Sequence, residues 1–327
     1  MLLTTNPQDG LESRWWTHDD ERMLRAAALD SHKKHELTDD PGAADAIVFI
    51  GSKDRWMSDV RRHPLYRKYR GKCFLADRQD HILPFVPGVY PSIERRYYSR
   101  SRTRGGFYPV VFDNDWISND TPHESNKYLF SFVGAFRNIP LRMTLGRIEH
   151  PRCVIRDTTH FFESPEGESV ERHTKFRRDY AEILKTSKFV LCPRGSGPSS
   201  YRIFEAMKAA RVPVVISDQW VPPPGPRWES FAIRIPEADV AQIPTVLERM
   251  EPEAERRGML AREAWEEWFS RESAFHFVSE CCLDMLRSRR LPEAIGRLLV
   301  LWQLFRPLHF RHTLLGGIRS VFHRHLA

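Results

Sequence analysis

Apolar and polar positions alternate along the chain in a way that predicts strand–helix units. Short, continuous apolar runs at 44–52 and 73–76 are typical of strands buried on both faces of a parallel sheet. Residues 19–37 carry apolar side chains at helical spacing, and 63–69 predicts a short helix before the Gly71 break. This alternation indicates a Rossmann-like unit in the first part of the chain.

A second set of strand–helix units begins near residue 126. Strands are predicted at 127–138, 153–158, 188–193, 212–217 and 232–236, and helices at 141–150, 176–187 and 240–250. The Pro-rich stretch 83–93 predicts a loop, 95–110 ends in a Gly-Gly turn, and 113–127 has the weak periodicity of a linker. We therefore predict an α/β fold with two facing Rossmann-like domains, 1–125 and 126–280, followed by a basic segment, 281–327.

Composition narrows the class of partner. Lys and Arg number 50 against 43 Asp and Glu, a net charge of +7, which suits phosphates or an anionic lipid surface but lacks the dense basic stripe of a nucleic-acid binder. Five Cys without a CxxC spacing favour a reducing compartment. We see no signal peptide and no spanning apolar run, so we expect a cytoplasmic protein, soluble or peripheral to a membrane.

The most informative stretch is "FVLCPRGSGPSSYRIFEAMKAARVPVVISD", residues 189–218. An apolar strand runs into a loop in which Gly195 and Gly197 permit a sharp turn and close approach to a ligand. Ser199 or Ser200 is suited to cap the helix that follows. The amino end of such a helix favours a phosphate group.

Charged residues at this turn support the same interpretation. Arg194 and Arg202 supply guanidinium groups that match phosphate oxygens, and Glu205, one helical turn beyond Arg202, can accept hydrogen bonds from ribose hydroxyls. The alternative is a Ser-capped turn with a weak Arg202–Glu205 surface ion pair. The spacing alone leaves both open, and it matches neither a Walker loop nor GxGxxG.

The stretch "SKFVLCPRGSGPSSYRIFEAMKAARVPVVISDQWVPPP", followed by Trp228, closely resembles the C-terminal half of exostosin-family glycosyltransferases. The shared order is a strand, a Pro-Arg-Gly loop, Ser-x-Arg, a Glu-Ala helix, a Pro-Val strand and Ser-Asp, over about 187–231. The chain departs from the family at Ala210-Arg211, where the family usually has Gly before the Pro-Val strand.

The resemblance implies a GT-B fold with a donor cleft between its two domains: an acceptor-side domain over 1–125 and a nucleotide-sugar-binding domain over 126–280. It implies an inverting transfer from a nucleotide-sugar, chiefly a uridine diphosphate (UDP) sugar, to a glycan or lipid-linked acceptor. Such enzymes need no cofactor or metal, because Arg charge and a helix terminus neutralise the leaving diphosphate. The "DND" at 113–115 is accordingly assigned to a loop.

Carried over to this chain, the resemblance implies that Arg194 and Arg202 bind the diphosphate and that Glu205 binds the ribose. Asp218 is expected at the donor sugar, or alternatively as a turn cap. The remaining residues expected to bind nucleotide belong to the loops after two strands and are Gly195, Ser196, Ser199, Ser200, Gly134 and Arg137.

An inverting transfer also needs a base that takes the acceptor proton. Asp77, Asp80 and His81 follow a predicted strand of the N-terminal domain. We take Asp80 as the first candidate and His81 as the second. The alternative is that they are polar loop residues.

The C-terminal residues 287–327 contain many Arg, no Lys and one acid, Glu293. Leu298, Leu299 and Trp302 recur at helical spacing, which predicts either a helix on an anionic membrane surface or one packed on the body. Two other functions stay open. One is a non-catalytic scaffold at a membrane, and the other is a fucosyltransferase-like enzyme with a guanosine donor, although that family's Glu-Lys pair is replaced here by Tyr201-Arg202.

Overall fold

The computed structural model describes residues 1–5, 19–52, 56–80, 82–118, 126–136, 139–163 and 170–304. These residues form two five-stranded sheets, and every strand pair within the sheets is parallel. α-Helices lie between the first and second strands of the chain, between the second and third, and between each pair of successive strands from the sixth to the ninth, which is the organisation expected of Rossmann-like units. The α/β fold with two such sheets, predicted from the sequence, is confirmed.

The first sheet has its strands in chain order. These are β1 (Leu2–Thr5), β2 (Ile47–Ile50), β3 (Cys73–Ala76), β4 (Gly88–Tyr90) and β5 (Thr103–Gly105), with helices α1 (Asp19–Ala28), α2 (Ser58–Arg62) and α3 (Pro64–Tyr69). The prediction of a continuous loop at 83–93 was wrong, because β4 lies inside it, and β5, which runs into the expected Gly-Gly turn, was not predicted. Each strand has three residues, too few for a periodic pattern to emerge among the surrounding Pro and Gly.

The second sheet has the order β10-β9-β8-β6-β7. Its strands are β6 (Tyr128–Gly134), β7 (Cys153–Asp157), β8 (Ser187–Pro193), β9 (Val212–Ile216) and β10 (Ile233–Arg234); its helices are α4 (Pro140–Leu145), α5 (Thr159–Glu163), α6 (Val170–Lys185), α7 (Arg202–Lys208) and α8 (Ile243–Met250). Because β6 pairs with both β7 and β8, the strand order reverses there. Ligands of open α/β sheets bind outside the carboxyl ends of the strands at such a point.

Three helices complete the described chain: α9 (Ala254–Trp268), α10 (Arg271–Ser288) and α11 (Glu293–Leu304). Helix α10 packs against both α1 and β4 of the first sheet. One buried apolar cluster accordingly joins Val48 and Phe74 of the first sheet, Val190 and Val215 of the second, and Phe277 of α10. Alternate strand residues face two further clusters, as the period of two requires.

Helix α7 ends in a Schellman motif. The backbone N–H of Arg211 donates to the carbonyl of Ala206 at 2.8 Å, and that of Ala210 to the carbonyl of Met207 at 3.0 Å. Ala210 has a left-handed backbone with φ of 55°, the conformation that Gly adopts at least cost. The family usually has Gly before the Pro-Val strand, and this chain has Ala210 there, in a backbone conformation that favours Gly.

The beginning of the C-terminal segment packs on the body. The carboxylate of Glu293 and the guanidinium of Arg102 form a buried ion pair with 2.6 Å between Oε2 and Nη1, and Val300 is buried in the cluster that includes Phe85. Leu298 is 60% exposed. Residues 305–327 lie outside the described residues, so membrane binding stays a prediction. Among the described helices, none has both the length and the apolarity needed to cross a bilayer.

Candidate active site

The carboxyl ends of the two sheets face each other. A Cβ on Gly197, in the loop after β8, would lie 2.7 Å from Oγ of Ser92 and closer still to the carboxylate of Asp80. In the loops after β4 and β9, the backbone N–H of Arg95 donates to the carbonyl of Gln219 at 3.0 Å. The loops at these strand ends therefore lie in contact, and the donor cleft expected between the two domains stays a prediction.

Arg202 begins α7 and reaches back to the neighbouring strand β6. Its Nε and Nη2 donate to the carbonyl oxygen of Val133 at 2.9 and 2.7 Å, and its guanidinium lies over the rings of Phe132 and Tyr201 at 5.0 and 4.8 Å from their centroids. The side chain is buried, with the residue 4% exposed. Arg202 therefore lies at the point where the strand order reverses.

The absence of a side chain at Gly134 leaves room for the guanidinium of Arg202. A Cβ at Gly134 would lie 2.9 Å from Cζ of Arg202 and nearer still to its Nη2. The sequence placed Gly134 beside the donor, and the structure brings it against the guanidinium. Arg137, predicted in the same loop, lies outside the described residues.

Arg142 on α4 is a second cation at this site, and sequence reasoning missed it. Its Nε donates to the carbonyl of Arg194 at 3.1 Å and its Nη1 to that of Ala135 at 2.8 Å. Its guanidinium lies over the same Phe132 ring as Arg202, 5.6 Å from the centroid. Burial, and then the charge of Arg202, lowers the pKa of Arg142 to about 10. The signal available in the sequence was its position shortly after β6.

Among the described residues, no carboxylate forms an ion pair with Arg142 or Arg202. Burial alone would lower the pKa of Arg202, but Tyr201, Tyr180 and Glu205 raise it above its usual value. Two buried or partly buried guanidinium groups with no carboxylate in direct contact favour an anion, because buried charge needs compensation.

Arg194 occupies a different position from the one expected of a free phosphate ligand. Its Nε forms an ion pair with Glu237 at 2.9 Å from both carboxylate oxygens. Asp218 lies on the same network: its carboxylate accepts from the backbone N–H of Glu237, and its own N–H donates to Oε1 of Glu237, each at 3.2 Å. Asp218 is exposed at the end of β9, and these bonds are also those of a turn cap.

Glu205 is buried one turn below Arg202. The residue is 5% exposed, and Oε2 accepts a hydrogen bond from the hydroxyl of Tyr180. Burial raises the pKa of Glu205, while Tyr180 and Arg202 act in the opposite direction. A surface Arg202–Glu205 ion pair, the alternative left open by the sequence, is wrong because both side chains are buried and form no ion pair with each other.

Three Ser lie in the loop between β8 and α7. The Oγ of Ser200 accepts from the backbone N–H of Arg202 at 3.4 Å, a long capping bond. Ser199 is buried beside the hydroxyl of Tyr108. Ser196 is exposed, and Gly195 packs beside Arg142, since a Cβ there would meet its Nη2 at 3.1 Å.

The candidate bases follow β3 of the first sheet. Asp80 is exposed, lies against Gly197, and accepts from Oγ of Ser92 at 3.1 Å. Burial raises the pKa of Asp77 to about 7, although it accepts a backbone hydrogen bond from Gln79. His81 lies outside the described residues.

The Asp-x-Asp sequence at 113–115 is engaged by cations of the protein. Nε of Arg22 donates to the carboxylate of Asp113 at 3.0 Å, and Asp115 lies 3.6 Å from Nη2 of Arg271. These contacts agree with the loop role assigned to it.

Comparisons with known proteins place this site in a family. Residues 93–250 match the family model of the Exostosin GT47 domain. Exostosin-1 of Drosophila melanogaster is 31% identical over 248 residues, which is 71% of this chain and 31% of the fly protein. A probable glucuronosyltransferase, GUT1 of Oryza sativa subsp. japonica, is 35% identical over 92 residues, 27% of this chain and 22% of that protein.

Among solved structures, that of Anabaena HepE in complex with UDP is similar over 88% of this chain and all of that chain, with 9% identity and a TM-score of 0.39. The chain spans about a third of the fly relative it matches. The matched region contains the Pro-Arg-Gly loop, Arg202 and Glu205. The chain therefore contains an exostosin GT47 domain over residues 93–250.

Proposed function

We propose that this chain is an inverting glycosyltransferase that moves a sugar from a UDP-sugar to a glycan or lipid-linked acceptor. The observation that carries the proposal is the pair Arg142 and Arg202, which lie over one ring at the reversal of strand order without a carboxylate partner. A nucleoside diphosphate leaving group carries the negative charge that such a pair would compensate.

The charge of these side chains takes the role that a metal has in other transferases. Helix α7 has only seven residues, so the guanidinium groups rather than its dipole are assigned most of the stabilisation. Arg194 is proposed to join them by leaving Glu237, its present partner. The loop residues Gly195 and Ser196 would then approach the phosphates, with Ser199 and Ser200 beside them in the same loop.

Glu205 is proposed to accept hydrogen bonds from the ribose hydroxyls. Tyr180 donates to Oε2 and would hold the carboxylate in one orientation while Oε1 meets the sugar. A fixed, buried acceptor is selective, because an analogue without the hydroxyl leaves it unpaired. Asp218, exposed at the end of β9, is proposed to meet the hydroxyls of the transferred sugar.

The proton is assigned to Asp80, which lies across the cleft from the donor loop at Gly197. As the acceptor oxygen attacks the anomeric carbon, its proton passes to the Asp80 carboxylate. The bond from that carbon to the phosphate oxygen breaks, and the diphosphate leaves with the electron pair on the side held by Arg142 and Arg202. Attack opposite to departure inverts the anomeric centre. His81 stays the second candidate.

Titration of the full chain with UDP by calorimetry tests the nucleotide site. Arg202→Ala and Arg142→Ala should each weaken binding by about 1.5–3 kcal/mol, the range of a hydrogen bond to a charged group. Arg256→Ala, which removes an exposed cation paired with Glu253, is the control and should bind as the parent does. Equal affinity in all variants would remove both cations from the site.

Product analysis tests the reaction. A panel of nucleotide-sugars should give transfer from a UDP donor, inverted stereochemistry by NMR, and undiminished activity in EDTA. Transfer from a guanosine donor alone would favour the fucosyltransferase-like alternative, and UDP binding without turnover on any donor would favour the scaffold. Loss of activity in EDTA with rescue by Mn²⁺ would contradict the metal-independent mechanism.

We also propose that the enzyme works at the cytoplasmic face of a membrane. The support is the Arg-rich composition of 287–327, which suits anionic headgroups, together with a lipid-linked acceptor.

A further inference from the structure

A group of metal-binding residues lies at the junction of α10 with the segment that follows α1. His276 and Glu280 are four residues apart on α10 and so share one face of the helix. His35 comes from the segment after α1, and one ligand atom from each of the three lies within 4.8 Å of the other two. We propose that His35, His276 and Glu280 bind a Zn²⁺ ion that fastens the N-terminal part of the chain to α10.

The donor set fits zinc. Two imidazoles and a carboxylate are a common set for Zn²⁺, with the fourth position left to water. Nε2 of His35 is already 2.9 Å from Oε1 of Glu280, close to the ~3.3 Å between ligand atoms of a tetrahedral site. The remaining gap, within 4.8 Å, needs only side-chain rotation.

His276 is prepared for a cation. Its Nδ1 is buried without a hydrogen-bond partner among the described residues. His32 stacks on His276, with 3.9 Å between ring centroids and 11° between planes.

The group now balances its charge with a lysine. The Nζ of Lys34 lies 2.7 Å from Oε1 of Glu280, the oxygen that also meets His35. Lys34 is 59% exposed, so its ammonium can move into water when a cation takes its place. Lys34 therefore competes with the metal, and its removal should tighten binding.

This site is separate from the proposed donor site. It shares no residue with Arg142, Arg202 or Glu205, and its elements, α10 and the segment after α1, carry none of the nucleotide-binding residues proposed above. A change at His276 should leave UDP affinity as it is, so failure of the zinc proposal and failure of the proposed function are distinguishable.

Calorimetric titration of the EDTA-treated, dialysed full chain with Zn²⁺ is the direct test. His276→Gln should bind one equivalent fewer than the parent, or bind that equivalent more than about 10-fold more weakly, the least that loss of even an outer partner costs at zinc sites. The difference is measured rather than the total, because four His in 309–325 can add equivalents of their own.

The matched control is His150→Gln. His150 also lies against a glutamate, with 3.2 Å between its Nε2 and Oε1 of Glu248, but it belongs to no such three-residue group among the described residues. It should bind as the parent does. Melting in EDTA shows whether each variant is folded, and Zn²⁺ should raise the melting temperature of the parent by more than that of His276→Gln.

Lys34→Gln should bind Zn²⁺ more tightly than the parent. Equal stoichiometry, affinity and zinc-dependent melting shift in the parent and a folded His276→Gln would overturn the proposal and leave the group as an ion-pair network around Glu280. Weaker binding by Lys34→Gln would contradict the role of Lys34 as the competing cation.

Discussion

The guanidinium of Arg202 passes directly over the backbone of Gly134, where a Cβ would lie 2.9 Å from its Cζ. Arg202 comes from α7 and Gly134 from the end of β6. Any side chain at 134 would force Arg202 away from the carbonyl of Val133, to which it donates two hydrogen bonds. The position of the central cation thus depends on a missing methyl group 68 residues earlier in the sequence.

Gly134→Ala should weaken UDP binding, because Arg202 can no longer reach its present position. The expected loss is about 1–3 kcal/mol, similar to overpacking elsewhere in a protein interior, measured by calorimetry. Gly71→Ala is the matched control, since nothing lies within 4 Å of a Cβ there. Unchanged affinity in Gly134→Ala would mean that Arg202 does not need this geometry.

Glu205→Gln should reduce the preference for UDP over 2′-deoxy-UDP. In the parent, loss of the ribose 2′-hydroxyl that is bonded to the carboxylate should weaken binding by about 1.5–3 kcal/mol. A neutral amide in the same place should discriminate less between the two ligands. Comparison of the two ligands by calorimetry gives the ratio directly. Glu248→Gln, at an exposed surface position, is the control; an equal ratio in all three proteins would remove Glu205 from the ribose.

Ala210→Gly should stabilise the fold by about 0.5–1 kcal/mol. Ala210 has φ of 55°, where Ala is strained and Gly is not. Ala209→Gly is the control: its φ is −89°, so the same substitution should only destabilise through backbone entropy. Urea unfolding of the three proteins measures the difference, and destabilisation by both changes would contradict strain at 210.

The pKa of Asp77, raised by burial to about 7, makes stability depend on pH. Because the folded protein binds the proton of such a carboxyl more tightly than the unfolded chain does, the proton stabilises the fold. This contribution is complete below the unfolded pKa near 4 and is lost as pH rises through 7. Between pH 5 and pH 8 the free energy of unfolding of the parent should therefore fall by about 2–3 kcal/mol relative to that of Asp77→Asn. The measurement is urea unfolding at both values.

The control for this pH effect is Asp45→Asn, at an exposed position, which should follow the parent. If the free energies of unfolding of the parent and of Asp77→Asn change in parallel with pH, Asp77 is ionised in the folded protein throughout that range.

Two deletions should separate the roles of the C-terminal segment. Removing 305–327 should abolish salt-sensitive flotation with anionic liposomes and leave the melting temperature nearly unchanged. Removing 291–327 should also lower the melting temperature, because it leaves Arg102 buried without Glu293; breaking such a pair costs about 3–5 kcal/mol. No flotation by the intact chain would reject membrane binding.

Long apolar strands were predictable from the sequence, and short ones were not. β3 was predicted at its observed bounds and β6 to within a few residues, because continuous apolar runs are specific for buried parallel strands. β4 is three residues in a Pro-rich stretch, and sheet pairing rather than its own pattern makes it a strand. The helices α9 and α10 were not predicted.

The grouping of the candidate residues was predictable where they are close in sequence. Arg202 and Glu205 lie within one motif, and both are buried, while their roles as nucleotide ligands stay a prediction. Arg142 is 52 residues before Arg194, the residue whose carbonyl it meets, and only the topology of the second sheet brings them together. The Arg194–Glu237 pair escaped prediction for the same reason.

The packing of α10 also bears on the order in which the chain assembles during synthesis. Met23 and Ala26 of α1 share a buried cluster with Phe277 and Met285 of α10, so the N-terminal sheet cannot complete its interior until nearly the whole described chain has left the ribosome. The second sheet, β6 to β10, depends on the same cluster, because Val215 of β9 is buried there with Phe277. On a translating ribosome both halves would therefore become fully resistant to protease together, once α10 has emerged, rather than one domain after the other.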